Sequence, residues 1–532
     1  VEQHDVPAPL QAAVLDDGSE RYDVVVIGFG IAGGSAALEA ARTGARVLLL
    51  ERAAVPGGTT CMAGGHFYLG GGTAVQRVTG HEDSAEEMYR YLVAVSKEPE
   101  HDKIRAYCEG SVEHFGWLES LGFEFERSFF PDKAVIQPGT EGLMFTGNEK
   151  VWPFRERAKP APRGHKVPVP GDTGGAKLVM DLLRDRVEEA GVEVRYETSA
   201  ANLVTDESGA VTGLAWRSFD DTGVVGAGAT VIAAGGFVMN PAMVAEYTPA
   251  LGAKLITLGS TYDDGLGIRL GMSVGADLKH MDEPFITAPF YPPAVLVTGL
   301  IVNSRGERFV AEDSYHARTS HFVMEQVNSA AYLIVDSAHV QQPQMPLVPV
   351  LDGYETVAEM EAGLGLPAGS LQKTLARYNH HAARGEDPDF HKSVDWLAPQ
   401  DQGPWAVFDL RLGHALYAGF TLGGLRTTVD AQVQRPDGSV IPGLYAAGAC
   451  ASNIAQDGKG YGSGTQLGAG SFFGRRAGQH AARRRLRSPG PLGKGNLIQS
   501  LPVNGARLLR ARLPDYPALS GVAGAADVAA SR

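Results

Sequence analysis

Residues 22–51, YDVVVIGFGIAGGSAALEAARTGARVLLLE, constrain this chain more than any other stretch, because they impose an order of elements as well as a composition. Residues 24–27 are a β-branched apolar run that stops at Gly28, which predicts a strand feeding a turn. Gly28, Gly30 and Gly33 then supply a G-x-G-x-x-G spacing. Gly28 allows the tight turn, Gly30 has no Cβ to block a pyrophosphate, and Gly33 lets the next helix lie close to the sheet. The alanine-rich segment 31–43 predicts that helix, with its N-terminal amides facing the phosphates. A second strand over 47–50 ends at Glu51, in position to accept hydrogen bonds from an adenosine ribose. The glycine spacing alone is a weak signal. Strand, turn, helix, strand and terminal acid in this order predict a dinucleotide site on an α/β sheet.

At 532 residues the chain exceeds what one core holds, and two or three domains are expected. An apolar content of 44% against 20% charged residues excludes a disordered chain. Acids outnumber bases 61 to 47, a net charge of -14 that disfavours nucleic acid as a partner. Cys61, Cys108 and Cys450 are far apart, so neither a disulfide framework nor a zinc cluster is expected, and a reducing compartment suits them. The first residues lack a basic and then apolar leader, and no long uninterrupted apolar run occurs. The expectation is a cytoplasmic protein without a transmembrane segment. No H-E-x-x-H or EF-hand loop points to a metal.

In chain order, residues 1–20 read as an irregular lead or an arm on a neighbouring surface. Segment 52–73 is crowded with glycine, including Gly57, Gly58, Gly64 and Gly65, as expected where backbone passes close to a flat ligand. Two packing helices follow within 84–121. Residues 122–175, rich in proline and glycine, read as an insertion over the core or near a site mouth, with Arg163, His165 and Lys166 surface or structural. A helix over 176–189 leads to residues 192–233, a small β-meander inserted before the sheet resumes. Ala234, Gly235 and Gly236 form a second glycine step, and Asp263 or Asp264 caps a helix running to Met272. The texture changes near 281, with a strand-turn unit over 300–310 and a helix over 368–383. The first domain returns near 417 with a hairpin at Pro436, Asp437 and Gly438, a strand over 444–447, and Gly448. Glycine-rich residues 458–474 precede a helix over 472–483. The tail turns basic at Arg483, Arg484, Arg485 and Arg487 and continues as a loosely amphipathic piece over 495–513, suited to surface wrapping or an oligomer contact, with disorder or lipid contact as the alternatives.

Two glycine-rich regions at opposite ends of the chain fit a flavin held along its length better than a nicotinamide. ADP then lies at the first unit and the isoalloxazine near 59–65 and 462–467. A helix starting after Gly464 would aim amides at the pyrimidine carbonyl and favour the anionic reduced ring. The ionisable residues expected to face that ring are His66, Tyr315, His316, Tyr461 and Ser463. A lone tyrosine is usually a core-edge residue; Tyr461 differs because Gly458, Gly460, Gly462 and Gly464 flank it and leave little to pack on it. A phenol acts as a base when a second hydroxyl and a helix terminus stabilise its phenolate, which makes Tyr315 and Ser463 candidate supporting donors. Triad hydrolysis lacks its G-x-S-x-G elbow. Cys450 reads as a buried thiol, with covalent flavin attachment or redox work as the alternative.

YDVVVIGFGIAGGSAALEAARTGA, AGGHFYLGGGT, CEGSVEHFGWL, GFTLGGLRTT and KGYGSGTQLG occur in order across residues 22–483. In this the chain resembles the flavoprotein superfamily of fumarate reductase and succinate dehydrogenase, and within it the 3-ketosteroid Δ4-(5α)-dehydrogenases. The resemblance implies an α/β fold whose Rossmann-like FAD-binding domain, over 21–280 and 416–485, is split by an inserted α+β catalytic domain over 281–415, with 486–532 as a tail. It implies desaturation of a 3-oxo-5α-steroid across C4–C5, with Tyr461 taking the C4 proton, N5 of FAD the C5 hydride, and Tyr315 and Ser463 assisting. Gly462, His66 and Tyr315 would contact substrate, although His66 stands where the Δ4 enzymes have an apolar residue. With the residues read above, the implied cofactor set is Gly28, Gly30, Ile31, Ala32, Gly33, Glu51, Arg52, Gly58, Thr59, Thr60, Ala63, Gly64, Gly65, Ala201, Ala234, Gly235, Asp264, Gly448, Thr465 and Leu467. Partners would be a steroid or other cyclic ketone and an external electron acceptor. Alternatives stay open: a Δ1-dehydrogenase, a desaturase or ene-reductase of another cyclic ketone using Arg305, Arg308 or Arg318 as proton donor, and a non-catalytic flavin-binding redox sensor.

Overall fold

A computed structural model describes residues 6–484 apart from 172, 173, 253, 453, 455 and 456. The expected tail over 486–532, with its amphipathic piece, lies outside the described residues, as do Arg485 and the first residues of the lead. Within the unit Val1–Leu486, a nine-stranded sheet carries the first βαβ unit. Strand Glu20–Ile27 pairs in parallel with Val47–Leu50, and that strand with Glu193–Arg195. Val24, Val26 and Leu49 are buried on one face, Val25, Ile27, Leu48 and Leu50 on the other. Burial on both faces explains why the run reads as continuously apolar and not as alternating.

The reading of 192–233 as a separate meander needs correction. Strands Ser199–Thr205, Val211–Ser218 and Asp221–Ile232 do run antiparallel in succession. The last, however, is 12 residues long and continues into the nucleotide sheet, in parallel with Glu20–Ile27 and then with Val440–Ala446. Its length joins meander and core into one sheet. The lead is not irregular throughout: Leu10–Gln11 adds an edge strand beside Ser199–Thr205.

Helix Thr465–Ala481 starts directly after Gly464, as the reading of amides aimed at the pyrimidine carbonyl expects, and not at 472, where the glycine-rich run is expected to give way to helix. Gly468 and Gly470 argue locally against helix, since glycine in a helix interior costs about 1 kcal/mol relative to alanine. Tertiary packing overrides them. A Cβ at Gly474 would stand 2.3 Å from the Ala32 carbonyl, and one at Gly478 2.1 Å from that of Ala36. The helix therefore lies backbone to backbone on Ile31–Arg42, and side chains larger than glycine would prise the two apart.

Between 281 and 415 the chain builds a four-stranded antiparallel sheet from Leu300–Asn303, Ala331–Asp336, Trp405–Asp409 and Val350–Tyr354. Helices Val357–Leu364 and Ser370–Ala382 bury Met360, Leu371, Leu375 and Tyr378 against it. The proline-rich segment sends Gly164–Lys166 onto strand His66–Tyr68, and Leu143–Met144 pairs with Gly164–Lys166 on the far side. Arg163, His165 and Lys166 are structural and fully buried, not surface residues. Arg163 meets Asp83 through two hydrogen bonds of 2.9 and 2.8 Å, the pairing that makes a buried guanidinium tolerable. Among the described residues no helix is long and apolar enough to cross a membrane.

Candidate functional site

One cavity is lined by residues from both ends of the chain. At its nucleotide end, Gly28 has φ 98° and its N–H donates to the Leu50 carbonyl at 2.7 Å, which folds the turn back on the strand end. Phe29 N–H and Ala53 N–H each donate at 2.7 Å to a different oxygen of Glu51, leaving that buried carboxylate lone pairs for a ligand hydroxyl. Burial raises its pKa, and those amides partly restore the charge. Thr60 Oγ1 accepts from Ile31 N–H at 3.2 Å at the start of the helix.

The glycines on this wall form a cradle that side chains would fill. A Cβ at Gly30 would meet only Thr60 Oγ1 and the Gly57 carbonyl, at 3.1 and 3.9 Å, and one at Gly58 only Ser260 Oγ at 3.8 Å. A diphosphate fits such an open backbone beneath a helix N-terminus, and Glu51 suits the adjoining ribose. On these grounds the residues fit FAD. Ile31, Ala32, Arg52, Thr59, Ala63, Gly64, Ala234, Gly235, Gly448 and Leu467 also reach the wall.

Other members of the sequence-derived set stand behind it. Gly33 packs the turn, since a Cβ there would lie 1.8 Å from the Gly28 carbonyl. Gly65 backs onto Val167 and Gly175. Thr198, Ser199 and Ala200 line the cavity in place of Ala201, at a point where the strand's register shifts between Ala200 and Asn202. Asp264 holds the Arg52 guanidinium at 2.6 Å and accepts from Leu266 N–H at 3.0 Å, one residue ahead of Gly265, the N-cap of helix Leu266–Ser273, and is not part of the wall. Thr465 is turned inward, its hydroxyl donating to the Gly462 carbonyl at 2.6 Å. Gly462 itself lies against the Tyr68 ring.

Asp263 and Thr59 form a pair that sequence reasoning missed. The Thr59 hydroxyl donates to the Asp263 carboxylate and accepts from Ser260 N–H at 2.8 Å. Burial pushes Asp263 up to about 6 despite that bond. Thr59→Val keeps the shape and removes both bonds, and is expected to destabilise the protein by about 1–3 kcal/mol, read as a lower urea midpoint.

At the other end the wall is aromatic. Tyr461 has its ring centroid 4.8 Å from that of Phe285 and 5.8 Å from that of Phe420, with Leu258 beside them. Burial holds its phenol far above the ordinary value, while the Gln466 backbone N–H, in the first turn of helix Thr465–Ala481, works the other way. Ser463 also lines the cavity, and its Oγ lies 2.6 Å from Tyr315 Oη. Tyr315 stands behind Ser463 and outside the wall, its own phenol raised by burial.

His66 lines the wall with its Nε2 2.6 Å from Gln137 Oε1. Gln137 Nε2 donates to the Glu141 carbonyl at 3.0 Å, which turns the amide oxygen toward the ring. His66 Nε2 is therefore the protonated nitrogen, and burial lowers the imidazole pKa to about 4, keeping it neutral at physiological pH. His316 lies outside the wall, packed on the Tyr315 ring and bonded through Nδ1 to Thr287 Oγ1 at 2.5 Å. None of Arg305, Arg308 and Arg318 lines the cavity. Arg308 is paired with Glu312 and Asp387, Arg305 with Glu307, and Arg318 lies over the Phe154 and Phe322 rings. Cys450 is buried and donates to the Ile232 carbonyl at 3.2 Å. Phe285 and Phe420 carried no signal of their own, although Phe420 sits in the motif GFTLGGLRTT.

A family profile described as an FAD binding domain matches residues 23–471. Among solved structures, the fold superposes with a TM-score of 0.84 on the crystal structure of 3-ketosteroid-delta4-(5alpha)-dehydrogenase from Rhodococcus jostii in complex with 4-androstene-3,17-dione. Identity is 41%, over 89% of this chain and 99% of that one. The 3-oxo-5-alpha-steroid 4-dehydrogenase of Comamonas testosteroni is 28% identical over 515 residues, covering 82% of this chain and 95% of that protein. Urocanate reductase of Eggerthella lenta is 30% identical over 453 residues, covering 80% and 69%.

Proposed function

This chain belongs to the FAD-binding-domain family of flavin-dependent oxidoreductases, and from that premise we propose that it desaturates a 3-oxo-5α-steroid across C4–C5. Bound FAD supplies the acceptor for the hydride that leaves C5. Everything else falls to the protein's own side chains. One observation carries the reading: a phenol in an apolar wall, Tyr461, two residues from a serine whose hydroxyl is 2.6 Å from a second phenol.

Tyr461 removes the C4 proton, made acidic by the neighbouring C3 carbonyl. A phenol that burial has raised is a poor base by itself, because forming its anion in an apolar wall is costly. The Gln466 N–H and the Tyr315–Ser463 hydroxyl pair offset that cost by donating toward the developing charge or taking the proton onward. The 461–463 turn, with the Gly462 backbone, binds the C3 carbonyl, and neutral His66 flanks the substrate without adding charge. Phe285, Phe420 and Leu258 exclude water from the ring system. Residues 281–415 act as the substrate-side insert between the two parts of the FAD-binding domain, and an external acceptor takes the electrons away.

Anaerobic mixing of the yellow protein with a saturated 3-ketosteroid should bleach the flavin and yield the 4-ene, identified by NMR. A product unsaturated at C1–C2, or bleaching by succinate with no response to any saturated ketone, would overturn the assignment. The similarity to urocanate reductase supports a second reading, an ene-reductase, which predicts rapid return of flavin colour when an unsaturated substrate is added to the reduced protein. That reading also needs a proton donor in the wall, and Arg305, Arg308 and Arg318 do not supply one.

A further inference from the structure

We propose that Asn148 is a positioning residue that holds Tyr315 and Ser463 in register, and so sets the hydroxyl contact on which proton removal depends. The inference rests on the roles of Tyr461, Tyr315 and Ser463 proposed above. Asn148 is fully buried in the proline-rich segment 122–175, whose Val135 and Ile136 line the cavity, while Asn148 itself lies outside the wall.

Its side chain bridges two distant stretches of chain. Asn148 Oδ1 accepts from the Tyr315 backbone N–H at 2.9 Å, and Nδ2 donates to the Lys459 carbonyl at 3.4 Å. Two residues earlier, the Thr146 carbonyl accepts from the Ser463 N–H at 2.9 Å. A single short loop thus grips the backbone of both hydroxyl-bearing residues, although one lies in the inserted segment and the other in the glycine-rich stretch near the end of the nucleotide sheet. Tyr315 is the N-cap residue of helix His316–Met324 and has no side-chain cap bond of its own.

The loop is itself anchored. Asn148 N–H donates to Tyr91 Oη at 2.7 Å, and Val151 N–H to the Asn148 carbonyl at 3.0 Å. Beside it, Glu149 accepts from Tyr68 Oη at 2.9 Å and from Gly147 N–H at 3.0 Å. A primary amide is the chemistry required, because one planar group must face an N–H with its oxygen and a carbonyl with its nitrogen. The 2.6 Å contact between Tyr315 and Ser463 joins two backbones that share no strand pairing. A shift of about 1 Å in either one would break it.

The test is a double-mutant cycle on the FAD-loaded protein, using Asn148→Ala, Asn148→Asp, Tyr315→Phe and the Asn148→Ala/Tyr315→Phe pair. It reads the anaerobic rate of flavin reduction by a saturated 3-ketosteroid across pH, with FAD content and unfolding midpoint recorded for each variant. Asn148→Ala is expected to slow reduction by about 10-fold at full FAD content, and by less than about 2-fold when Tyr315 is already phenylalanine. Asn148→Asp, which keeps the acceptor for the Tyr315 N–H but loses the donor to the Lys459 carbonyl, is expected to recover part of the rate. Should Asn148→Ala fail to fold, the same cycle is run with Asn148→Ser, which loses the amide and keeps a small polar side chain. Losses that multiply in the double variant, or an aspartate no better than alanine, would overturn the positioning role alone. A Tyr315→Phe protein reduced at the wild-type rate would overturn the role of Tyr315 and this inference with it.

Discussion

Replacing Tyr461 with phenylalanine is expected to slow flavin reduction by a saturated 3-ketosteroid by about 10²–10⁴-fold, the range for loss of a positioned acid or base. The substitution is clean because the ring is held by apolar neighbours. Phe285, Phe420 and Leu258 surround Tyr461, and a phenylalanine keeps those contacts. FAD content should therefore stay at the wild-type level, since the nucleotide end of the cavity is built from Gly28–Glu51 and the 57–60 turn, not from this ring. Ser463→Ala and Tyr315→Phe each leave the base itself in place, so their losses should be smaller. A Tyr461→Phe protein that bleaches at close to the wild-type rate would remove the phenol from proton transfer and leave the proposed reaction without a base.

The second large effect concerns pH and stability. His66, His114, His165 and His316 are all buried, and desolvation lowers their pKa values to about 4, 3, 4 and 3. Each folded value lies below that of the unfolded chain, near 6.5. The unfolded state therefore binds more protons as the pH falls, and stability present above that value is lost on acidification. Between about pH 7 and pH 5.5 each histidine withdraws roughly 1 kcal/mol, so the four together remove roughly 4–5 kcal/mol. Asp263 acts in the opposite sense, because its carboxyl, raised to about 6, takes up a proton in the folded state. It returns less than about 1 kcal/mol over the same window. Net losses of this size are comparable to the whole stability of many domains. Urea unfolding followed at both pH values should show a much lower midpoint in the more acidic buffer. Equal midpoints, or imidazole resonances of the folded protein titrating near the ordinary histidine value, would contradict it.

How far these conclusions were available in the linear chain depends on the range of the forces involved. The turn at Gly28, the helix from Ile31 and the acid at Glu51 are consequences of neighbouring residues: a positive φ, a helical period, a strand that must end somewhere. Tyr461 stood out for a local reason too, the glycines that flank it, but the expectation that they leave it little to pack on is corrected by Phe285, Phe420 and Leu258, which surround it. The helix over Thr465–Ala481 shows where local reading stops: its start after Gly464 is legible, but the close approach that Gly474 and Gly478 permit exists only once the surface of Ile31–Arg42 is laid against them. The strand Asp221–Ile232 shows the same limit, joining a meander to the core by pairing alone.

The FAD motif, the order of its elements and the candidate base were therefore determined by sequence. Tertiary structure alone decided that Gly33, Gly65, Ala201, Asp264 and Thr465 stand behind the cavity wall and not on it. It alone brought Phe285 and Phe420 around Tyr461, and Asn148 between Tyr315 and Lys459. The physical reason is that glycine conformation and helical or strand periodicity are set within a few residues. The face a side chain presents, and the distant backbone it bonds, exist only once separate stretches of chain have packed together.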